Sequence, residues 1–403
     1  MSRFSIFAPF ALTLVSLGFY ATGIVALLAH FRRKNDPVDT LDSQVPVSVL
    51  TLIMGLEDGL EQNLRSLFQQ EYSGPFEVVF CSNDRNDPGI KLARQVSASY
   101  AQVPCTFTVA AEGAAKNTKV EKLIGALAVA KYDLTLQTDA NVRLSTTYLQ
   151  NAVSEFFSSN ADLLSSIVVG EGQRSIGAIF DASHLNTFIA PALCLANDVC
   201  HRACVMNKAI LYRQSELDRL NAIHQIKDVL ADDFILGRFY EQQGKRVVLS
   251  RTTLVENFNS NGPIKAFFAR QSRWLKMNAV IDFPVFCLRV LTNPVALASF
   301  LCLIKPSLLT VLLLVTVILV KLTLDDLAFK RMGRPTIAFP GKLLSVFKDI
   351  LIVFAGLYAA VSRTVLWRGV TFVIGKDSNI VLVVVPKISR DASMSPDDNN
   401  LLL

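Results

Sequence analysis

Three acidic clusters and one basic-aromatic signature hold the side chains of this 403-residue chain best suited to chemistry. In LTLQTDANVRL, Leu134 to Leu144, an apolar, strand-like run opens at Asp139 into a polar corner, with the amide of Asn141 two residues on. A carboxylate at the end of a buried strand is either a turn residue or a hard oxygen ligand in a metal–nucleotide site. Asp84 and Asp87 in SNDRNDP pose the same choice after another strand. Each alone reads as a turn or cap, whereas two acidic strand ends in one α/β half suit a nucleotide. Asp232 and Asp233 in ADDFILG open a partly apolar helix and, taken alone, read as its cap. Arg270, Arg273 and Trp274 of RQSRW stand just before a membrane-like stretch. Position alone favours an interfacial belt there, although arginine also offers planar, bidentate contacts to phosphate.

The elements that must position these groups alternate. VPVSVLTLIM, FEVVFCS, CTFTVA and DLTLQT read as strands. Between them, EDGLEQNLRSLFQQEY puts Leu60, Leu64, Leu67 and Phe68 on one helical face, DPGIKLARQVSASY opens a helix at Pro88, and KVEKLIGALAVAKY supplies a third helix. This order predicts an α/β domain over 45–280 with a mainly parallel sheet, helices on both faces, and ligands at the carboxyl ends of the strands.

Composition places that domain at a membrane. The chain is 51% hydrophobic and 18% charged with a mean hydropathy of +0.38, too little polar surface unless part of it faces lipid. A net charge of +6 gives no reason to expect nucleic acid. Residues 4–31 contain no Asp, Glu, Lys or Arg and are long enough to anchor, and FRRK then sets Arg32, Arg33 and Lys34 in the cytoplasm. Residues 281–324 read as a transmembrane hairpin, with Arg289 and Lys321 reaching for the interface and KRMGR returning to the cytoplasm. Residues 340–366 form an interfacial or spanning helix, and 387–403 a flexible polar tail. The seven cysteines form no disulfide framework, and CHRAC lacks a second pair at zinc-like spacing.

The motifs in this order resemble the ceramide glucosyltransferase family, inverting lipid glycosyltransferases with a GT-A fold that include bacterial and hopanoid-associated relatives. The resemblance runs from the first apolar segment to about Phe372. It implies a Rossmann-like GT-A catalytic domain on the cytoplasmic side of a multi-pass protein, in a bacterial inner membrane by analogy with the bacterial relatives. The implied reaction moves a hexose from a UDP-sugar to a lipid hydroxyl, with Mg²⁺ or Mn²⁺ as cofactor. Gly55, Asp84, Asn117, Lys119 and Asp139 fall on the donor-binding motifs, with Asp139 and Asn141 at the metal corner. Asp233 falls on the catalytic base, and Arg270, Arg273 and Trp274 on the Arg/Gln-x-x-Arg-Trp signature. His184 coincides with a histidine near the acceptor, where Trp274 also contributes. Thr51-Leu52 replace the usual Lys-Pro, and Arg202 stands near a usual glycine. Ceramide, diacylglycerol and hopanoid acceptors all fit. A polysaccharide synthase would need more spanning helices, and a non-catalytic scaffold would not need these carboxylates.

Overall fold

The computed structural model describes residues 7–32, 44–206, 208–367 and 370–384. Arg33, Lys34 and the tail from 387 lie outside the described residues. Strands β1 (Val47–Leu52), β2 (Phe76–Ser82), β3 (Cys105–Val109) and β4 (Leu134–Asp139) run parallel in the order β3-β2-β1-β4. β1, β2 and β4 are buried on both faces, whereas the edge strand β3 is half-buried. Val49, Val78, Phe80 and Leu136 pack with the helix Leu60–Phe68 on one side. Leu50, Val79 and Cys81 pack with Val120 and Leu123 of the helix Thr118–Leu127 on the other.

Beyond β4 the sheet becomes mixed. It adds β5 (Val142–Arg143), β6 (Leu163–Glu171), β7 (Ala209–Arg213) and β8 (Val247–Phe258), giving the order β3-β2-β1-β4-β7-β6-β8-β5. β7 is antiparallel to both β4 and β6, while β6 and β8 are parallel. The reversal brings the start of β7 beside the end of β4, a neighbour that the alternation of strands and helices does not disclose. The register aligns Leu52 with both Cys81 and Asp139, so the carboxyl ends of β1, β2 and β4 finish at one level.

Among the described residues, four helices are long and apolar enough to cross a membrane: Phe7–His30, Ile176–Asp198, Leu308–Arg331 and Phe339–Val361. The second lies mostly inside the protein. The segment expected to open the hairpin is a bent pair of helices, Phe283–Leu291 and Pro294–Ile304, which meet at 55° and together are also long and apolar enough to cross. Asn293 caps the second of these and Pro294 begins it, which fixes the break. Lys321 does not reach for an interface. It is buried, 2.7 Å from Asp325 and 3.4 Å from Asp349 on the neighbouring helix, because an inward partner satisfies an ammonium better than lipid does. Arg289 likewise turns to His184, at 3.1 Å. The first helix is fastened to the sheet domain by His30, which contacts Asp198 at 2.9 Å and the Ser250 carbonyl at 3.0 Å. Arg334, after the long helix, reaches Glu171 at the end of β6 and Glu256 on β8.

A second sheet follows the last long helix: β9 (Thr364–Trp367), β10 (Val370–Ile374) and β11 (Ile380–Val384), an antiparallel meander. Val365, Phe372, Ile374 and Ile380 bury against Leu230, and Met277 and Val280 of the helix Ile264–Ile281 pack alongside.

Candidate active site

The carboxyl end of β4 carries a largely buried cluster of charge. Asp139 is the last residue of the strand, and its two carboxylate oxygens face two ammonium groups: Lys119 at 2.6 Å and Lys208 at 2.9 Å. Lys208 also donates to the Asn141 side-chain oxygen at 2.6 Å. Burial alone would raise the Asp139 carboxyl, but the two lysines overcome it and hold the group well below the usual carboxylate range. Lys208 is the residue that sequence reasoning missed. It precedes an ordinary apolar strand, and only the antiparallel pairing of β7 with β4 brings it here.

Lys119 is delivered by Asn117. That side chain caps the helix Thr118–Leu127 by accepting from the Lys119 backbone N–H at 2.9 Å, and it donates to the Val229 carbonyl at 2.8 Å. Asn117 is wholly buried with both ends of its amide engaged, one on the Lys119 backbone and the other on Val229, so it supports the fold of the site. Through Val229 it also fixes the approach to the acidic pair.

Asp232 and Asp233 open the helix Asp232–Gln242, yet neither caps it: the cap residue is Ala231, with no side-chain hydrogen bond. Both carboxylates act on the Lys119 ammonium, together with Asp139. Asp232 is buried, whereas Asp233 is half-exposed and accepts from the Phe234 backbone N–H. Burial raises Asp232, Lys119 opposes, and the neighbouring charges of Asp233 and Asp139 add to the rise, leaving it at about 7.

Asp84 is exposed in the turn after β2, where it accepts from the Asn86 N–H at 2.8 Å. Its neighbour Asp87 is structural: it caps the helix Pro88–Ala98 through Gly89 and accepts from the Gly55 N–H at 2.8 Å. Gly55 sits at a φ of 70°, a conformation in which a side chain would be strained. The left-handed φ is what calls for a glycine there, and its N–H ties the turn to Asp87.

The basic-aromatic signature lies within the helix Ile264–Ile281, in three different settings. Arg270 pairs with Asp181 at 3.0 Å, and Asp181 also accepts from Asn259 at 2.7 Å. Arg273 lies over the Trp367 ring, 5.6 Å from its centroid. Trp274 packs against the apolar cluster on one face of the sheet. His184 is buried at the last turn before a π-helical step, Leu185–Ile189, and stacks on Phe188. Such steps recur at functional sites. Asp139, Lys119, Asp232 and Asp233 are thus brought together, while Arg270 and His184 have their polar contacts on Asp181 and Arg289.

A divalent cation would find one carboxylate and one amide oxygen, both engaged by lysine. Among the described residues no three His, Cys, Asp or Glu side chains form a metal-holding group, CHRAC included. Hard oxygens of this kind fit Mg²⁺ or Mn²⁺ if phosphate oxygens complete the shell and the lysines move to the phosphates.

Comparison with known proteins gives three results. The model of Glycosyl transferase family 21 matches residues 8–380. Among curated proteins, Ceramide glucosyltransferase 1 of Caenorhabditis elegans is 23% identical over 278 residues, covering 69% of this chain and 59% of the relative. Ceramide glucosyltransferase 3 of the same organism is 24% identical over 260 residues, covering 64% and 56%. The chain therefore spans little more than half the length of these relatives. Among solved structures, the mannosyltransferase PcManGT of Pyrobaculum calidifontis, in complex with GDP-Man and Mn²⁺, superposes with a TM-score of 0.49 at 13% identity, covering 88% of this chain and 99% of that one.

Proposed function

Because the chain belongs to glycosyl transferase family 21, we propose that it transfers a hexose from a UDP-sugar to a lipid hydroxyl with inversion, with ceramide as the acceptor. The observation that carries this reading is the meeting of Asp139, Lys119 and Lys208 with Asp232 and Asp233 at the ends of the parallel strands. The curated relatives' names supply the acceptor class, and the long apolar helices beside the domain supply a route for it.

In the proposed reaction, Lys119 and Lys208 leave Asp139 for the donor diphosphate and stabilise the charge that grows there as the anomeric C–O bond breaks. Asp139 and Asn141 would hold a divalent cation, which would supply Lewis-acid stabilisation of the same leaving group. Asp233, the more accessible of the acidic pair, takes the proton of the acceptor hydroxyl as its oxygen bonds to the anomeric carbon from the opposite face. Asp84 and Gly55 line the nucleoside side. Arg273 and Trp274 face the acceptor side, with the sheet domain in the cytoplasm.

The test is transfer of radiolabelled hexose from UDP-glucose to ceramide by the purified protein in lipid nanodiscs, beside UDP-galactose, diacylglycerol and a hopanoid polyol. A labelled ceramide with inverted linkage, lost in Asp233→Asn, supports the reading. Label only in another lipid moves the acceptor assignment, and release of a soluble polymer overturns it.

A further inference from the structure

The acidic pair is gripped from an unexpected side. The turn that joins β10 to β11 places two consecutive non-glycine residues in the left-handed region, Asp377 at a φ of 52° and Ser378 at 58°. Such backbone costs free energy and persists only where its surroundings fix it. Here the surroundings are the segment that leads into Asp232. The Leu230 N–H donates to the Ser378 carbonyl at 3.0 Å. The Ala231 N–H donates to the Ser378 hydroxyl at 3.1 Å. Ile380 returns a bond to the Asp228 carbonyl at 2.8 Å, and Val229 bridges Asn379. On the far side of the pair, Asp377 holds Arg238 at 3.2 Å.

The segment 228–231 is therefore clamped between two parts of the chain. Asn117 holds the Val229 carbonyl from the donor side, and the 377–378 turn holds the next two amides from the other. The same meander touches the basic-aromatic helix, since Lys276 donates to the Thr364 carbonyl at 2.7 Å and Arg273 lies over Trp367. Lys116 adds a bond to the Ile380 carbonyl at 3.2 Å.

We propose that the Asp377–Ser378 turn is a positioning element for catalysis: Ser378 fixes the backbone that presents Asp232 and Asp233 to the Lys119–Asp139 pair. Its effect on turnover rests on the transferase reading given above; its effect on the loop does not. A lost hydroxyl leaves the Ala231 amide without its acceptor and lets the first turn of the helix shift. Shifts of about 1 Å at a catalytic group cost on the order of 100-fold in rate.

The experiment compares the full-length wild type with Ser378→Ala, Ser378→Asn and Ile374→Val in nanodiscs. Asparagine tolerates the left-handed conformation and keeps an acceptor oxygen, so it is the rescue. Ile374→Val trims one methyl from the meander core where it packs on Leu230 and leaves the Ser378 hydroxyl in place. Hydrogen–deuterium exchange at residues 228–235 is expected to accelerate in Ser378→Ala, to stay near wild type in Ser378→Asn, and to change less in Ile374→Val than in Ser378→Ala. For transfer, Ser378→Ala is expected to lower kcat by on the order of 10- to 100-fold with donor KM unchanged, and the other two variants to retain it. Unchanged exchange in Ser378→Ala overturns the clamp. Accelerated exchange with wild-type kcat overturns its catalytic role, as does an equal kcat loss in Ile374→Val. A wild type that transfers no sugar defeats the transferase reading and with it the catalytic part, while the exchange result still decides the clamp.

Discussion

The Lys208 ammonium lies 2.9 Å from a carboxylate oxygen of Asp139 and 2.6 Å from the side-chain oxygen of Asn141, joining two strands that run in opposite directions. This geometry gives a lysine outside any recognised motif the same access to the strand end as Lys119. Lys208→Met is expected to weaken UDP binding by about tenfold, the effect of losing one charge-assisted contact, and to lower kcat further. Titration calorimetry with UDP checks the first effect and the nanodisc assay the second. Unaltered binding and turnover would leave Lys208 as only a partner of Asp139.

The occupied state of Asp139 governs how a metal would bind. With both oxygens paired to lysine, and no three His, Cys, Asp or Glu side chains forming a metal-holding group among the described residues, the corner is expected to bind Mn²⁺ poorly until a nucleotide diphosphate draws the lysines away. Electron paramagnetic resonance of Mn²⁺ should therefore show protein-bound metal with UDP present and little without it. Asp139→Asn should abolish the UDP-dependent signal. Strong binding in the absence of nucleotide would mean that the lysines yield to the metal directly.

Asp232 and Asp233 are expected to separate by experiment. Asp233→Asn should abolish transfer while leaving UDP affinity largely intact. Asp232→Asn should instead change how stability depends on pH. The folded-state value near 7 lies above the unfolded value, so between roughly pH 4 and 7 the folded protein keeps a proton that the unfolded chain has released. Stability from this group is present at the acidic end of that window and is lost as pH rises through 7. The melting temperature of Asp232→Asn relative to wild type should rise from pH 5 to pH 8. A gap that stays constant with pH would contradict the buried, proton-holding assignment.

Arg270 and Asp181 make a partly buried ion pair, the carboxylate side chain being only 4% exposed. Removing the arginine leaves that buried carboxylate with the neutral Asn259 amide and no countercharge, and Arg270→Ala is expected to cost about 3 kcal/mol of stability. Asp181→Asn combined with Arg270→Ala should recover much of the loss in thermal unfolding. A large fall in kcat with no fall in stability would instead favour the contact with donor that the motif suggests. Arg273 offers the contrast: Arg273→Lys keeps the charge but loses the planar overlap with Trp367, and transfer should drop while folding is retained.

Much of this protein was determined locally. Apolar runs with helices between them fixed the parallel half of the sheet, because a strand buried on both faces has little choice of residue. Asp87 before Pro88 and Asn117 before Thr118 are helix caps whose partners lie within two residues, so their backbone roles are set by sequence neighbours. The long apolar stretches announced their helices by length alone. The tertiary structure decided which charges meet. Lys208 reaches Asp139 only because β7 reverses, and Asp181 reaches Arg270 only because two helices far apart in the chain pack together. Lys321 turns inward for the same reason, finding Asp349 on another helix. The turn at Ser378 grips Leu230 and Ala231 across nearly 150 residues, and nothing in either segment names the other. Ion pairs and backbone clamps of this kind depend on distance in space, which falls outside any periodicity of the chain; the pattern of apolar residues fixes the elements, and their packing selects the partners.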